Sequence, residues 1–168
     1  MASAQAAVDT LCNPDTEVSA HYLIAEDGEV ISMVPEVMRA WHAGAGRWGA
    51  VTDVNSRSIG IELANTGFAP FAAAQMDALT ALLKEITARW GMRAERVIGH
   101  SDMAPGRRLD PGSRFDWRRL ALEGASVWPE RASPVDPARF VPMMRSFGYT
   151  GTDDPELLLK TFRMRFRP

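Results

Sequence analysis

Apolar and polar positions recur with two different periods along the 168-residue chain, and each change of period marks an element. Ser3 followed by Ala4, Ala7 and Leu11 predicts a short helix with its N-cap, and Asn13-Pro14-Asp15 ends it. Residues 20–25 and 29–34 are short apolar-rich runs around Glu26-Asp27-Gly28, a pattern that predicts a β-hairpin. Residues 39–57 hold three glycines, two tryptophans and polar turn formers, and read as a long functional loop. Strand alternation returns over 58–64, with Ile59, Ile61 and Leu63 on one face and Ser58, Gly60 and Glu62 on the other. The strongest helical pattern covers 71–90. Met76, Leu79, Leu82, Leu83, Ile86 and Trp90 form its stripe, Pro70 suits its start and Gly91 its stop. Residues 96–99 read as a brief strand ending at His100, followed by a Pro/Gly-rich loop.

At 46% apolar residues, the chain is long enough for one compact domain with a core, and too short for two full ones. Composition shifts near Trp128-Pro129, and Pro134 and Pro137 suggest a linker. Beyond it, two helices are expected over 136–147 and 154–166. The first carries Phe140, Met144 and Phe147 on one stripe, and the second begins at Asp154-Pro155. About forty residues bury little core alone, so this tail reads as an appendage or an incomplete domain.

Charge narrows the function classes. Lys+Arg 19 against Asp+Glu 21 leaves a net charge of −2, without the basic excess of proteins that bind nucleic acid by bulk electrostatics. A single cysteine, Cys12, excludes an intramolecular disulfide framework and a Cys-rich zinc module. Three histidines, His21, His42 and His100, make a short list of imidazole ligands. No apolar run approaches the roughly 20 residues that cross a bilayer. The opening Met1-Ala2-Ser3-Ala4-Gln5 lacks the basic-then-apolar pattern of a signal peptide.

Candidate chemistry concentrates in four places. In the stretch from Gly99 to Gly112, His100 at an element end and Asp102 and Asp110 on the following loop can converge on a zinc ion. The same residues also suit a strand cap and Asx turns. Glu62 shares its face with Gly60, which removes bulk beside it; the carboxylate either lines a cleft or is simply solvated. Trp41-His42-Ala43-Gly44 can stack on and hydrogen-bond a ligand, or anchor the loop to the core. Arg107, Arg108, Arg114, Arg118 and Arg119 form a basic cluster that reads as a solvated face in so neutral a chain.

Val18-Ser19-Ala20-His21-Tyr22-Leu23-Ile24, Ala40-Trp41-His42-Ala43-Gly44, Asn55 with Ser58-Ile59-Gly60-Ile61-Glu62-Leu63, and the His100–Gly112 stretch occur in this order. Together they resemble the zinc-dependent N-acetylmuramoyl-L-alanine amidases of the amidase-2 family, related to peptidoglycan recognition proteins. The resemblance covers roughly residues 4–128. It implies an α/β fold, a mixed central β-sheet flanked by helices, and a catalytic domain over 1–128. Separately, Phe147-Gly148-Tyr149 and the run from Leu157 to Pro168 resemble the opening helices of a peptidoglycan-binding domain, so a linker with an incomplete helical peptidoglycan-binding domain is expected over 129–168. By the amidase resemblance, His100 and Asp110 are zinc ligands and Glu62 handles the attacking water. Arg108 stands where the family usually has an oxyanion-stabilising Lys, keeping the charge but with a different shape. Trp41, His42 and Asn55 are expected to meet the substrate, which would be peptidoglycan or a muropeptide.

One departure stands out. The family draws a first zinc ligand from a His-Tyr-Thr-like segment upstream of the region matching Met1, and His21 corresponds to a position that is ordinarily structural. An incomplete zinc site, low activity of this chain and a truncated or mis-started frame are therefore expected. The competing expectation is a non-catalytic muropeptide-binding module. The wall-binding character of the tail points towards the cell envelope.

Overall fold

The computed structural model describes residues 3–131 and 136–167. Helix α1 spans Ala4–Leu11, and the Ser3 side chain caps it by accepting from the Ala6 amide. A 3-10 turn, Pro14–Thr16, follows, capped by Asn13.

Three strands make the sheet: β1 (Tyr22–Ile24), β2 (Val30–Ser32) and β3 (Ile61–Leu63), in the order β2-β1-β3. β1 and β2 are antiparallel, with Leu23 opposite Ile31, and the hairpin forms where Asp27-Gly28 predicts it. Gly28 takes φ +93, and a Cβ there would lie 2.8 Å from the Ala74 carbonyl oxygen, so turn and helix packing both require glycine. β1 and β3 are parallel, with Leu23 opposite Glu62. The sheet is thus mixed.

The long helix α2 (Ala73–Trp90) buries Met76, Leu79, Leu82, Leu83 and Ile86 of the expected stripe, leaves its last member Trp90 exposed, and stops at Gly91 with φ +61. The buried side chains share a core with Ile24, Phe115, Trp117 and Leu120, and Tyr22, Ile59, Ile61 and Leu63 pack against it from the sheet. Gln75 fixes the helix to the strand ends: its buried Nε2 donates to the Ile24 and Ala64 carbonyls at 2.9 and 3.0 Å. With β3's apolar alternation turned into this core, Glu62 is directed to the opposite face.

The brief strand expected over 96–99 does not form. A 3-10 turn occupies Ala94–Arg96, and Val97 and Gly99 are extended but belong to no ladder among the described residues. A strand is made by its partner, and here the Val97 carbonyl accepts from Arg165 of a later helix instead. His100 therefore opens a helix, α3 (His100–Met103), rather than ending a strand. A further helix, α4 (Trp117–Leu122), is capped by Asp116 and carries part of the arginine cluster; Arg119 pairs there with Asp77 and Glu123.

The linker expected around Pro134 lies outside the described residues. Beyond it come a 3-10 turn (Pro137–Arg139), α5 (Phe140–Phe147) and α6 (Pro155–Phe166). Met144, Tyr149 and Leu158 share a second core with Trp48, Val54, Met103 and Ala104, so this tail packs on the loop and helix around His100. No helix among the described residues is long and apolar enough to cross a membrane.

Candidate active site

His100 and Asp110 converge. The imidazole Nδ1 lies 2.9 Å from Asp110 Oδ2, and Nε2 lies 2.7 Å from the Ala43 carbonyl oxygen. A carbonyl only accepts, so Nε2 carries a proton, and Nδ1 is the ring atom turned to the carboxylate. Nδ1 and Oδ2 face one another at hydrogen-bond distance, joined by a proton when the ring carries two and open to a metal cation when Nδ1 carries none. A metal-bound histidine is commonly held in this way, its far N–H given to a backbone carbonyl. Asp110 is kept in place by its own carbonyl, which accepts from the Ser101 amide of α3 at 2.9 Å. Burial pulls its carboxyl upward, but the hydrogen bond and charge of His100 and the charge of Arg108 outweigh it and hold Asp110 below the usual carboxylate range.

Ala43 is itself fixed. Asn55 is buried, and its Oδ1 accepts from the amides of His42 and Ala43 at 3.0 and 2.8 Å. Expected at the substrate, its oxygen instead sets the loop that supplies the carbonyl for His100. Arg107, one member of the basic cluster with no separate signal in the sequence, joins this arrangement: its Nη2 donates to the same carbonyl at 2.7 Å and lies 3.4 Å from His100 Nε2.

Glu62 is half-buried on the other face of β3. Burial first, then the charge of Asp110, raises its carboxyl above the ordinary value, with His100 and Arg108 pulling the other way. Glu62, His100, Asp110 and Arg108 are thus one electrostatic group. Arg108 is exposed, and its charge reaches both carboxylates.

Gly60 does not leave an open space beside Glu62. A Cβ there would lie 2.2 Å from His42 Cγ, because the His42 ring fills that position. His42 is half-buried, its Nε2 is enclosed without a hydrogen-bond partner among the described residues, and burial, then the charges of His21 and His100, lowers it to about 4. His21 is fully buried: Nδ1 accepts from the Gly60 amide at 2.9 Å and Nε2 faces the Met38 carbonyl at 3.1 Å, the structural role expected of it. Trp41 is 54% exposed, with the Arg39 guanidinium 4.0 Å over its ring. It borders an open groove of about 630 Å³ lined also by Leu11, Cys12, Pro14 and Val18, a lining that includes none of Glu62, His100 and Asp110. Among the described residues, no group of three His, Cys, Asp or Glu side chains is placed to hold a metal.

A family model described as N-acetylmuramoyl-L-alanine amidase matches residues 1–113. The chain is 37% identical to the N-acetylmuramoyl-L-alanine amidase AmiD of Escherichia coli, over 92% of this chain and 68% of that protein. It is 44% identical to the 1,6-anhydro-N-acetylmuramyl-L-alanine amidase AmpD of Enterobacter cloacae, over 61% of this chain and 55% of that protein, and so spans about half of that relative. Among solved structures it resembles the complex of E. coli AmiD with the substrate anhydro-N-acetylmuramic acid-L-Ala-D-gamma-Glu-L-Lys, with a TM-score of 0.87 and 36% identity, over 98% of this chain and 76% of that one. It also resembles AmpDh3 from Pseudomonas aeruginosa in complex with anhydromuramic pentapeptide, with a TM-score of 0.86 and 31% identity, over 99% of this chain and 79% of that one.

Proposed function

Because the chain belongs to the N-acetylmuramoyl-L-alanine amidase family, we propose that it hydrolyses the amide between N-acetylmuramic acid and L-alanine in peptidoglycan fragments, with zinc held by His100 and Asp110. The observation that carries this reading is the convergence of His100 Nδ1 and Asp110 Oδ2, with the Ala43 carbonyl fixing the far side of the ring. An imidazole nitrogen and a carboxylate are donors suited to zinc. When bound, zinc supplies a Lewis acid that polarises the scissile carbonyl and lowers the pKa of water to about 7.

The side chains around this pair do the rest. Glu62 takes the proton of the attacking water and returns it to the departing amine of L-alanine. Its raised carboxyl suits both steps, since a base too weak to capture a proton cannot deliver one later. Arg108 places positive charge near the carbonyl oxygen as negative charge develops there; a guanidinium supports it electrostatically without serving as an acid. Trp41, exposed at the end of its loop, offers an apolar face to the sugar or stem peptide. The anhydromuropeptides bound by the AmiD and AmpDh3 structures indicate the substrate class.

His100 and Asp110 are two donors, whereas catalytic zinc sites present three protein ligands. This favours a second reading, a module that binds muropeptides without cleaving them. Zinc content and cleavage of an anhydromuramoyl tripeptide, measured on the chain as it stands and on one extended at its N-terminus by a segment ending in His-Tyr-Thr, separate the two. The amidase reading expects cleavage in the extended form with stoichiometric zinc and weak activity in the short one. Fragment binding that chelators leave unchanged, with no product from either form, supports the binding module.

A further inference from the structure

We propose that Arg165, near the end of α6, is a positioning residue for the metal-ligand pair: acting through Asp102, it fixes the bearing of α3 and thereby the place of His100. The proposal rests on the reading of His100 as a zinc ligand. α3 is a single turn of four residues, too short to hold its direction by its own backbone bonds. What holds it is Asp102, two residues after His100 and fully buried. Its Oδ2 accepts from the Gly99 amide at 2.8 Å and from Arg165 Nη1 at 2.6 Å, and its Oδ1 accepts from the Tyr149 hydroxyl at 2.6 Å.

Arg165 is 1% exposed and grips the same segment twice. Besides Asp102, its Nη2 donates to the Val97 carbonyl at 3.0 Å and to Ser126 Oγ at 3.2 Å, and its guanidinium lies 4.0 Å over the Trp117 ring. One rigid fork therefore bonds residues 97 and 102, with His100 between them. The C-terminal segment also holds the opposite wall. Tyr149 bridges to Trp48, Gly49 donates to the Gly148 carbonyl at 2.8 Å, and Thr150 Oγ1 donates to the Gly49 carbonyl at 2.9 Å. Trp48 and Gly49 belong to the 39–57 loop, whose Ala43 carbonyl receives the His100 N–H. A buried ion pair often adds little net stability over an apolar replacement, so what this pair supplies is geometry.

The test uses the whole chain with Arg165→Met, Arg165→Lys and the double variant Asp102→Asn/Arg165→Met. The double variant leaves no unpaired buried charge and carries the test should Arg165→Met fail to fold. Two readouts apply: Zn²⁺ affinity by competition with a chromophoric chelator, and the ring-nitrogen NMR shifts of His100 in the metal-free chain. The expected result is a 10- to 100-fold weaker zinc affinity. It comes with a change in the His100 ring-nitrogen shifts towards a conformational average, and Arg165→Lys recovers part of both. A folded variant with affinity within about twofold of the parent and unchanged His100 shifts overturns the proposal. Should neither the parent chain nor its N-terminally extended form take up zinc, the amidase reading loses its support, while the His100 shifts still decide this one.

Discussion

Burial lifts the Glu62 carboxyl, and Asp110 lifts it further, at a position where the chain could have placed an ordinary surface residue. Two outcomes follow from that single cause. Glu62→Gln is expected to lower kcat by about 10²- to 10⁴-fold in the zinc-loaded amidase while leaving zinc content intact, read by product release and metal analysis. In the metal-free chain the same change is expected to stabilise. The folded protein keeps the Glu62 proton to higher pH than the unfolded chain does, so stability falls as pH rises from the ordinary carboxylate value to the raised one. Glu62→Gln removes that loss. Its Tm should exceed the parent's at pH 7 and match it below about pH 4. His42 works in the other direction. Its imidazole is lowered to about 4, so the metal-free chain loses stability as pH falls from about 6.5 towards 4, when the unfolded chain gains a proton the fold resists. His42→Gln should flatten the dependence of denaturation midpoint on pH across that window; an unchanged slope would count against the burial of this ring.

At the scale of elements, β3 and the 39–57 loop are fitted to one another through Gly60 and His42. Gly60→Ala would press a methyl into the imidazole, since the Cβ position lies 2.2 Å from His42 Cγ. The expected cost is about 1–3 kcal/mol in chemical denaturation, together with reduced activity because the loop carrying Ala43 shifts. Wild-type stability in this variant would show that the ring moves aside freely. The hairpin at Asp27-Gly28, the α2 stripe and the two faces of β3 were legible in the sequence because each depends on local turn chemistry or on a repeating apolar period. The segment before His100 was not, because its form depends on a distant group: the Val97 carbonyl is taken by Arg165, 68 positions away. The site divides in the same way. Glu62, His100 and Asp110 stand in recognisable motifs, whereas the use of Asn55 and Arg107 to hold Ala43 is visible only when the loop is folded against α3.

Across the whole molecule, the C-terminal helices bury Met144, Tyr149 and Leu158 against Trp48, Val54 and Met103. Together with the Arg165–Asp102 pair, this joins the tail to the elements around His100, so heating should give one cooperative transition by calorimetry. Truncation after Arg131 should abolish the native near-ultraviolet signal of the tryptophans; a separate low-temperature transition for the tail, or a truncated form with native spectra, would contradict this. Glu62 acting beside a zinc held by His100 and Asp110 is tested most directly by the rate of peptide release from an anhydromuramoyl tripeptide, measured with the zinc-loaded, N-terminally extended chain and with its Glu62→Gln variant at equal zinc content. Cleavage at the muramoyl–L-alanine amide is expected from the first, falling at least ~100-fold in the second. Equal rates from the two, or no cleavage by a fully zinc-loaded enzyme that still binds the fragment, would contradict it.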